Sequence, residues 1–204
     1  PSTLRSIPPI ISRIQLVKEF RKSSPKKQTQ DSAERAMEFQ EIRHNDNDYL
    51  LVPSVSSENR RYIPIGFIEG EVISTNANLI IPNATLYDFA ILTSNVHMAW
   101  MRTVAGRLKS DYRYSAKIVY NNFPWPEVTD AQKEIIFKTA QAILDARALY
   151  PDSSLADLYD ELRKAVELRK AHQVNDMAVM RKKKKKKIVD GKKTWLTESE
   201  TVAR

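Results

Sequence analysis

The 204-residue sequence contains no cysteine, only four scattered glycines and no run of about 18 apolar residues of the kind that spans a membrane. Without cysteine it forms no disulfide, no thiolate nucleophile and no cysteine-containing zinc finger. Because no glycine-rich loop follows a strand, a dinucleotide fingerprint and a P-loop are excluded. No charged and then apolar leader opens the chain, so we expect a soluble, intracellular protein.

Positive charge is concentrated in one segment. The formal net charge is +8, and residues 181–193, RKKKKKKIVDGKK, hold nine basic residues and one acid. The rest of the chain carries 24 basic and 24 acidic residues, so it is electroneutral. The total charge favours an anionic partner, but it says little about the folded body.

The apolar pattern at the start of the chain predicts a helix followed by a loop. Pro8 and Pro9 suit the first positions of a helix, and the isoleucines, leucine, valine and phenylalanine that follow lie near helical spacing. The polar stretch that follows contains Pro25 and predicts an exposed, mobile loop over residues 23–35.

Short runs of β-branched and aromatic residues predict an antiparallel or mixed sheet between residues 36 and 82. The runs are MEFQEIR, YLLVPSV, RYIPIGFI, EVIST and NLIIPNA, and prolines and glycines interrupt them. The apolar segment Ala84–Arg107 predicts one buried helix ending near Gly106. A sheet with helices packed on it indicates an α+β fold.

The last third of the sequence predicts a small all-α module. Residues 108–126 read as a strand stopped by two prolines, and a helix is predicted over Asp130–Leu149 with Thr129 or Asp130 as its N-cap. A further helix, capped by Ser153 or Ser154, is expected to continue to Met180. We divide the chain into a first domain at 1–120 and a helical domain at 121–204 with a basic loop at 181–193.

The sequence offers no catalytic, cofactor or metal motif. His44, His97 and His172 lie far apart and have no nucleophile motif beside them, so we interpret each as an ordinary surface or core histidine. The acids are dispersed among lysines and arginines, as on solvated helix faces. These residues indicate a binding or assembly module rather than a complete enzyme.

The segment GRLKSDYRYS can present a polar row. In an extended chain Lys109, Asp111 and Arg113 share one face. Lysine can donate to guanine O6 and N7 while aspartate accepts from N4 of the paired cytosine, and arginine can read a neighbouring purine or hold a phosphate. The alternative is a solvated strand face with weak cross-strand pairs.

Much of the chain resembles one family of enzymes. The block from YIPIGFIEGEV to YNNFPWP, with QKEIIFKTAQAILDARALYPDSSLADLYD and ELRKAHQVNDMAVM, is similar to the C-terminal part of MmeI-like DNA methyltransferases and bifunctional restriction-modification enzymes. The resemblance covers residues 1 to about 180 and implies a DNA target recognition domain followed by a helical domain. It also implies that an S-adenosylmethionine-dependent adenine-N6 methyltransferase domain, with or without a nuclease, precedes them.

The resemblance implies roles for particular residues. It places Lys109 and Asp111 as a pair on one base pair, and Ala77 and Arg113 together on an inner base pair. Asn76 reads adenine or orients a neighbour, or alternatively holds a turn between two strands. Weaker contacts to the DNA backbone are expected at Arg107, Lys117, Lys182 and Lys183.

Two segments depart from the family pattern. Residues 161–168, ELRKAVEL, read as more helical than the loop of relatives, and Arg181–Lys187 is a basic run, interpreted as a solvated loop. The resemblance implies double-stranded DNA and the chain's own upstream methyltransferase domain as partners, no membrane, and a bacterial cytoplasmic location. The alternatives are a non-specific nucleic-acid scaffold that uses the lysine run and a protein-interaction module built on the helices.

Overall fold

The computed structural model describes residues 7–39, 46–162 and 165–180, and the backbone of two strands at 186–189 and 192–195. They belong to two compact units, Pro1–His44 and Asn45–Arg204. The helices are α1 (Pro8–Lys22), α2 (Lys27–Asp31), α3 (Leu86–Leu92), α4 (Asn95–Val104), α5 (Asp130–Ala148), α6 (Leu155–Leu158) and α7 (Val166–Met180). The strands are β1 (Tyr49–Pro53), β2 (Val55–Ser56), β3 (Gly66–Ile68), β4 (Asn78–Pro82), β5 (Gly106–Leu108), β6 (Asp111–Arg113), β7 (Lys186–Val189) and β8 (Lys192–Trp195).

The first unit is a helix held against two short helical turns. Helix α1 begins with two prolines, as predicted. The Arg21 guanidinium donates to the carbonyls of Ser32, Arg35 and Glu38 at 2.7–2.9 Å, and Lys18 pairs with Glu34 at 2.6 Å. The loop expected over 23–35 is therefore wrong in part, because α2 and a 3₁₀ turn at Ala33–Arg35 form within it.

The second unit contains two three-stranded antiparallel sheets joined by a single residue. Strands β3, β1 and β4 form one sheet in that order, and β2, β6 and β5 form the other. Pro53 of β1 lies opposite Asn78, and Val55 of β2 lies opposite Arg113. The chain thus passes from one sheet to the other at Ser54.

One hydrophobic core runs through the second unit, from the sheets to the C-terminal helices. Its largest fully buried side chains include Leu50, Ile65, Phe89, Ile143 and Leu168. Helices α5 and α7 pack together, and α3 contacts both of them. This architecture confirms the α+β fold with a helical C-terminal module.

The single helix predicted over Ala84–Arg107 is two helices. Thr93 donates to the Phe89 carbonyl at 2.7 Å and ends α3, while the Ser94 hydroxyl accepts from His97 N–H at 3.3 Å and caps α4. These short polar side chains offer the backbone partners other than the helix. The prediction also failed at Gly106, which begins strand β5 instead of closing a helix.

Several other segments differ from the predictions. Residues 71–75 (EVIST) form turn and coil, and of MEFQEIR only the turn at 37–39 lies in the described part of the chain. Residues 108–126 form a hairpin and a π turn at Ala116–Tyr120 instead of one strand. The long helix expected after Ser154 is divided into α6 and α7, so residues 161–162 are not helical. Within the basic loop expected at 181–193, residues 186–189 and 192–193 lie in strands β7 and β8, which pair antiparallel.

Candidate nucleic-acid interface

The candidate base-reading residues lie on a tight hairpin. Leu108 pairs with Asp111, so Lys109 and Ser110 form a two-residue turn between β5 and β6. Lys109 has a φ of 57°, the left-handed conformation that favoured two-residue hairpin turns require at their first position. For a residue other than glycine this conformation costs about 1–2 kcal/mol, so neighbouring contacts must hold it.

This turn corrects the predicted polar row. Asp111 and Arg113 lie two residues apart in β6 and share one face, opposite the buried Tyr112. Lys109 stands outside the strand in a left-handed conformation, so strand alternation does not place it on that face. The structure brings Lys109 and Asp111 together through the turn and not through a continuous strand.

Two of the three side chains have no bonding partner in the described part of the chain. Lys109 and Arg113 are exposed and make no hydrogen bond or ion pair with the residues described. Asp111 is half-buried, and its Oδ1 accepts from the backbone N–H of Glu58 at 3.3 Å. This bond orients the carboxylate and leaves its second oxygen available as an acceptor.

The second pair of candidate residues forms an exposed turn before β4. The Ser54 N–H donates to the Ala77 carbonyl at 3.1 Å, and the Ser54 carbonyl accepts from Tyr114 N–H at 2.8 Å. Ser54 thus ties the Asn76–Ala77 turn to the residue that follows Arg113. The structure therefore brings the turn at 76–77 beside the end of β6.

Sequence reasoning missed the residue that holds this turn. Nδ2 of Asn78 donates to the hydroxyls of Ser74 and Thr75, both at 3.3 Å. The exposed Asn76 side chain makes no hydrogen bond to the described residues. The turn-holding role weighed for Asn76 thus belongs to Asn78, and the Ser-Thr pair three and four residues before Asn78 was the available signal.

The expected backbone contacts differ in their surroundings. The Arg107 guanidinium donates to the Ser110 carbonyl at 2.6 Å, covers the Tyr112 ring at 3.8 Å from its centroid and lies 3.5 Å from the Glu58 carboxylate. Lys117 is exposed on the π turn. Lys182 and Lys183 lie outside the described residues.

Two of the three histidines are core residues, as we interpreted them. Nε2 of His97 lies 2.8 Å from the Tyr114 hydroxyl, and its ring meets the edge of Phe123 at 4.5 Å. Burial lowers the pKa of His97 to about 4, so it is neutral at physiological pH. His172 is buried beside the hydroxyl of Tyr159 at 2.6 Å. His44 lies outside the described residues.

The part of the chain described by the structure contains no group of three or more histidine, cysteine, aspartate or glutamate side chains able to hold a metal. Among those same residues, no helix combines the length and apolarity needed to cross a membrane. The hairpin exposes Lys109 and Arg113, which have no partner among the described residues, over the buried rings of Tyr112 and Tyr114. Such a surface is typical of a binding domain.

Comparison with protein families identifies the family to which the chain belongs. The family model for the MmeI target recognition domain matches residues 1–127, and the model for the MmeI C-terminal domain matches residues 128–200. The chain belongs to the MmeI target recognition domain family and carries the C-terminal domain after it. This confirms the resemblance inferred from the sequence.

Two relatives agree with this assignment. The chain is 40% identical over 178 residues to DNA methyltransferase A of Bacillus subtilis (strain 168), which covers 87% of the chain and 20% of that protein. It matches the structure of the type IIL restriction-modification enzyme MmeI in complex with DNA, with 50% identity and a TM-score of 0.82. That match covers 87% of this chain and 24% of the other. The chain therefore spans a quarter or less of the length of these relatives.

Proposed function

We propose that the chain recognises a specific sequence of double-stranded DNA on behalf of a restriction-modification methyltransferase. The observation that carries this proposal is the hairpin turn, which exposes Lys109 and Arg113 without a partner among the described residues and orients Asp111 beside them. The MmeI family membership and the DNA complex of the related structure support it.

Lys109 and Asp111 read one G·C base pair in the major groove. The lysine ammonium donates to guanine O6 and N7, and the free Asp111 oxygen accepts from N4 of the paired cytosine. Because the backbone of Glu58 already binds Oδ1, the carboxylate meets the base with a defined orientation. A well-formed pair of this kind discriminates against a wrong base by about 1–3 kcal/mol.

Arg113 and Ala77 act together on an inner base pair. Hydrogen bonds through Ser54 hold their two segments side by side. Because the Ala77 side chain is short, it leaves room beside it for the long guanidinium of Arg113. Asn76, which is exposed, reads an adjacent adenine through N6 and N7. Lys117, with Lys182 and Lys183, adds attraction to phosphates that carries no sequence information.

Methyl transfer to adenine N6 belongs to the rest of the enzyme, with or without a nuclease. The four glycines of this chain are scattered, and a glycine-rich cofactor loop is absent from its sequence, so its residues do not fit S-adenosylmethionine. The cofactor is bound by a methyltransferase domain linked to this chain. The chain positions the DNA so that the target adenine flips into that domain. We place the enzyme in the bacterial cytoplasm, where its DNA is.

Reversing the charges of the reading pair tests the proposal. Selection from a duplex library with randomised central positions should enrich one sequence with the unmodified chain. The Lys109→Glu, Asp111→Arg variant should change the preference at one base pair from G to C, because glutamate accepts from cytosine N4 and arginine donates to guanine on the other strand.

A matched control exchanges two exposed charges on α5. The variant Glu134→Lys, Lys138→Glu keeps the net charge and should enrich the same sequence as the unmodified chain. An unchanged preference in the Lys109, Asp111 variant would remove the assignment of the pair. If no sequence is enriched and neutral residues at 182–187 abolish all binding, the chain is a non-specific scaffold. Absence of any binding at low salt would favour a protein-interaction module.

A further inference from the structure

We infer that Arg107 is a positioning residue, which holds the Lys109–Ser110 turn in the conformation that presents the reading pair. The inference rests on the proposed function, because it concerns how Lys109 and Asp111 are held for base reading. It assigns to Arg107 a role in sequence discrimination, where the expectation was a contact to the DNA backbone.

The first contact of Arg107 closes the turn. Its Nη1 donates to the carbonyl of Ser110 at 2.6 Å, and Ser110 directly follows the strained Lys109. A charged donor forms a stronger hydrogen bond than a neutral one. This bond therefore stabilises a turn whose first residue is neither glycine nor asparagine.

The second contact fixes the direction of the guanidinium. Arg107 lies opposite Tyr112 in the β5–β6 ladder, and its guanidinium carbon sits 3.8 Å from the centre of the Tyr112 ring. Tyr112 is 9% exposed, so this ring belongs to the buried layer. A planar guanidinium stacks on an aromatic face in a way that a lysine ammonium does not reproduce.

The third contact connects Arg107 to the other member of the reading pair. The guanidinium lies 3.5 Å from the Glu58 carboxylate, and the backbone N–H of Glu58 donates to Asp111 at 3.3 Å. Arg107 is therefore connected to Lys109 through Ser110, and it is connected to Asp111 through Glu58. Its charge is also partly compensated by Glu58, which weakens its attraction to a phosphate.

The test compares Arg107→Lys with Arg107→Met on the 204-residue chain. Affinities are measured by fluorescence anisotropy for the enriched duplex and for the duplex altered at the base pair read by Lys109 and Asp111, over a range of salt concentrations. Both variants should lower the discrimination ratio by roughly fivefold or more, because each loses the planar stack. The slope of affinity against salt for Arg107→Lys should equal that of the unmodified chain.

Two control variants separate positioning from charge. Lys117→Met removes an exposed cation, and it should reduce the salt slope by about one and leave discrimination unchanged. Tyr112→Phe keeps the ring face and should keep discrimination. Thermal unfolding of each variant shows whether it is folded. If an Arg107 variant is unstable, Tyr112→Leu removes the stacking of the guanidinium on the ring from the other side. It should reproduce the loss of discrimination.

The outcomes distinguish this inference from the proposed function. If Arg107→Lys keeps full discrimination and Arg107→Met only reduces the salt slope, Arg107 is a phosphate contact and the inference is overturned. If the unmodified chain does not discriminate between the duplexes, the proposed function itself fails. Loss of discrimination in both Arg107 variants, with an unchanged salt slope for the lysine variant, supports the inference.

Discussion

At the scale of single residues, the environment beneath the hairpin decides what each polar side chain does. His97 is fully buried between Tyr114 and Phe123, and burial holds its pKa near 4. It packs in the aromatic layer beside β6, so a change in its protonation state changes the stability of the fold. Asn78 is half-buried, like the three residues that follow it in β4. Its side-chain amide donates to the hydroxyls of Ser74 and Thr75 and so stabilises the turn at 74–77.

His97 makes stability depend on pH. An unfolded histidine has a pKa near 6.5, so the unfolded chain binds a proton at this residue below that pH. The folded chain binds the same proton only when the pH falls to about 4. The stabilisation by neutral His97 is complete above pH 6.5 and is lost as the pH falls to 4, by up to about 3 kcal/mol. Urea unfolding at a series of pH values measures this loss.

The variant His97→Gln serves as the reference for that measurement. It keeps a polar group facing the Tyr114 hydroxyl but does not titrate in this range. We expect it to be less stable than the unmodified chain at pH 7.5 and to lose less stability on acidification. Parallel pH profiles for the two proteins would show that His97 does not carry the dependence.

At the scale of elements, short polar side chains decide where helices begin and end. Ser94 caps α4, Thr129 caps α5 and Ser154 caps α6, each by accepting a backbone N–H from three residues later. Such signals are local, so they can be read from the sequence. The predicted N-cap at Thr129 and the helix that follows it are confirmed, and so is Ser154 as a cap.

Removal of the Thr129 cap tests the contribution of one element. The Thr129 hydroxyl accepts from Gln132 N–H at 3.4 Å, and the side-chain Oε1 of Gln132 accepts from Thr129 N–H at 3.0 Å. Thr129→Ala should lower the free energy of unfolding by about 1 kcal/mol. Thr129→Ser keeps the hydroxyl and should restore most of it in the same denaturant titration. Equal stability of the alanine and threonine forms would contradict a stabilising role.

At the scale of the whole second unit, a buried polar cluster holds α7 against helices α3 and α4 and against the segment that precedes β3. Asp176 accepts from the Tyr62 hydroxyl and from Asn95 N–H, both at 2.7 Å. Asn175 donates to the Ala90 carbonyl at 2.9 Å. Burial, together with the hydrogen bond to Asp176, raises the pKa of Tyr62, so its hydroxyl stays protonated as a donor. Helix α7 therefore stabilises the position of α4, the helix after which the chain enters the β5–β6 hairpin.

Loss of this cluster should destabilise the whole unit. Asp176→Ala removes a buried acceptor of two hydrogen bonds, and we expect the free energy of unfolding to fall by about 3 kcal/mol. Asp152→Ala, at an exposed position between α5 and α6, is the matched control and should change stability by less than about 0.5 kcal/mol. Fluorescence and circular dichroism should report one shared transition. A separate, unshifted transition of the sheets would show that they fold without α7.

The sequence by itself determined the features that depend on neighbouring residues. These are the proline start of α1, the capped helix α5, the strands β1 and β4 with their alternating or continuous apolar runs, and the class of the chain through its dense family motifs. Each signal lies within a few residues of its effect, so no knowledge of distant contacts is needed.

Only the tertiary structure decided the arrangement of the candidate interface. Alternation along GRLKSDYRYS put Lys109 on a strand face, whereas pairing of Leu108 with Asp111 turns the chain there. The link from Ala77 to the end of β6 passes through Ser54, and Arg107 stacks on Tyr112 across the ladder. These contacts join segments that are distant in sequence or that meet only when strands pair. Their geometry follows from register and burial, which no local pattern specifies.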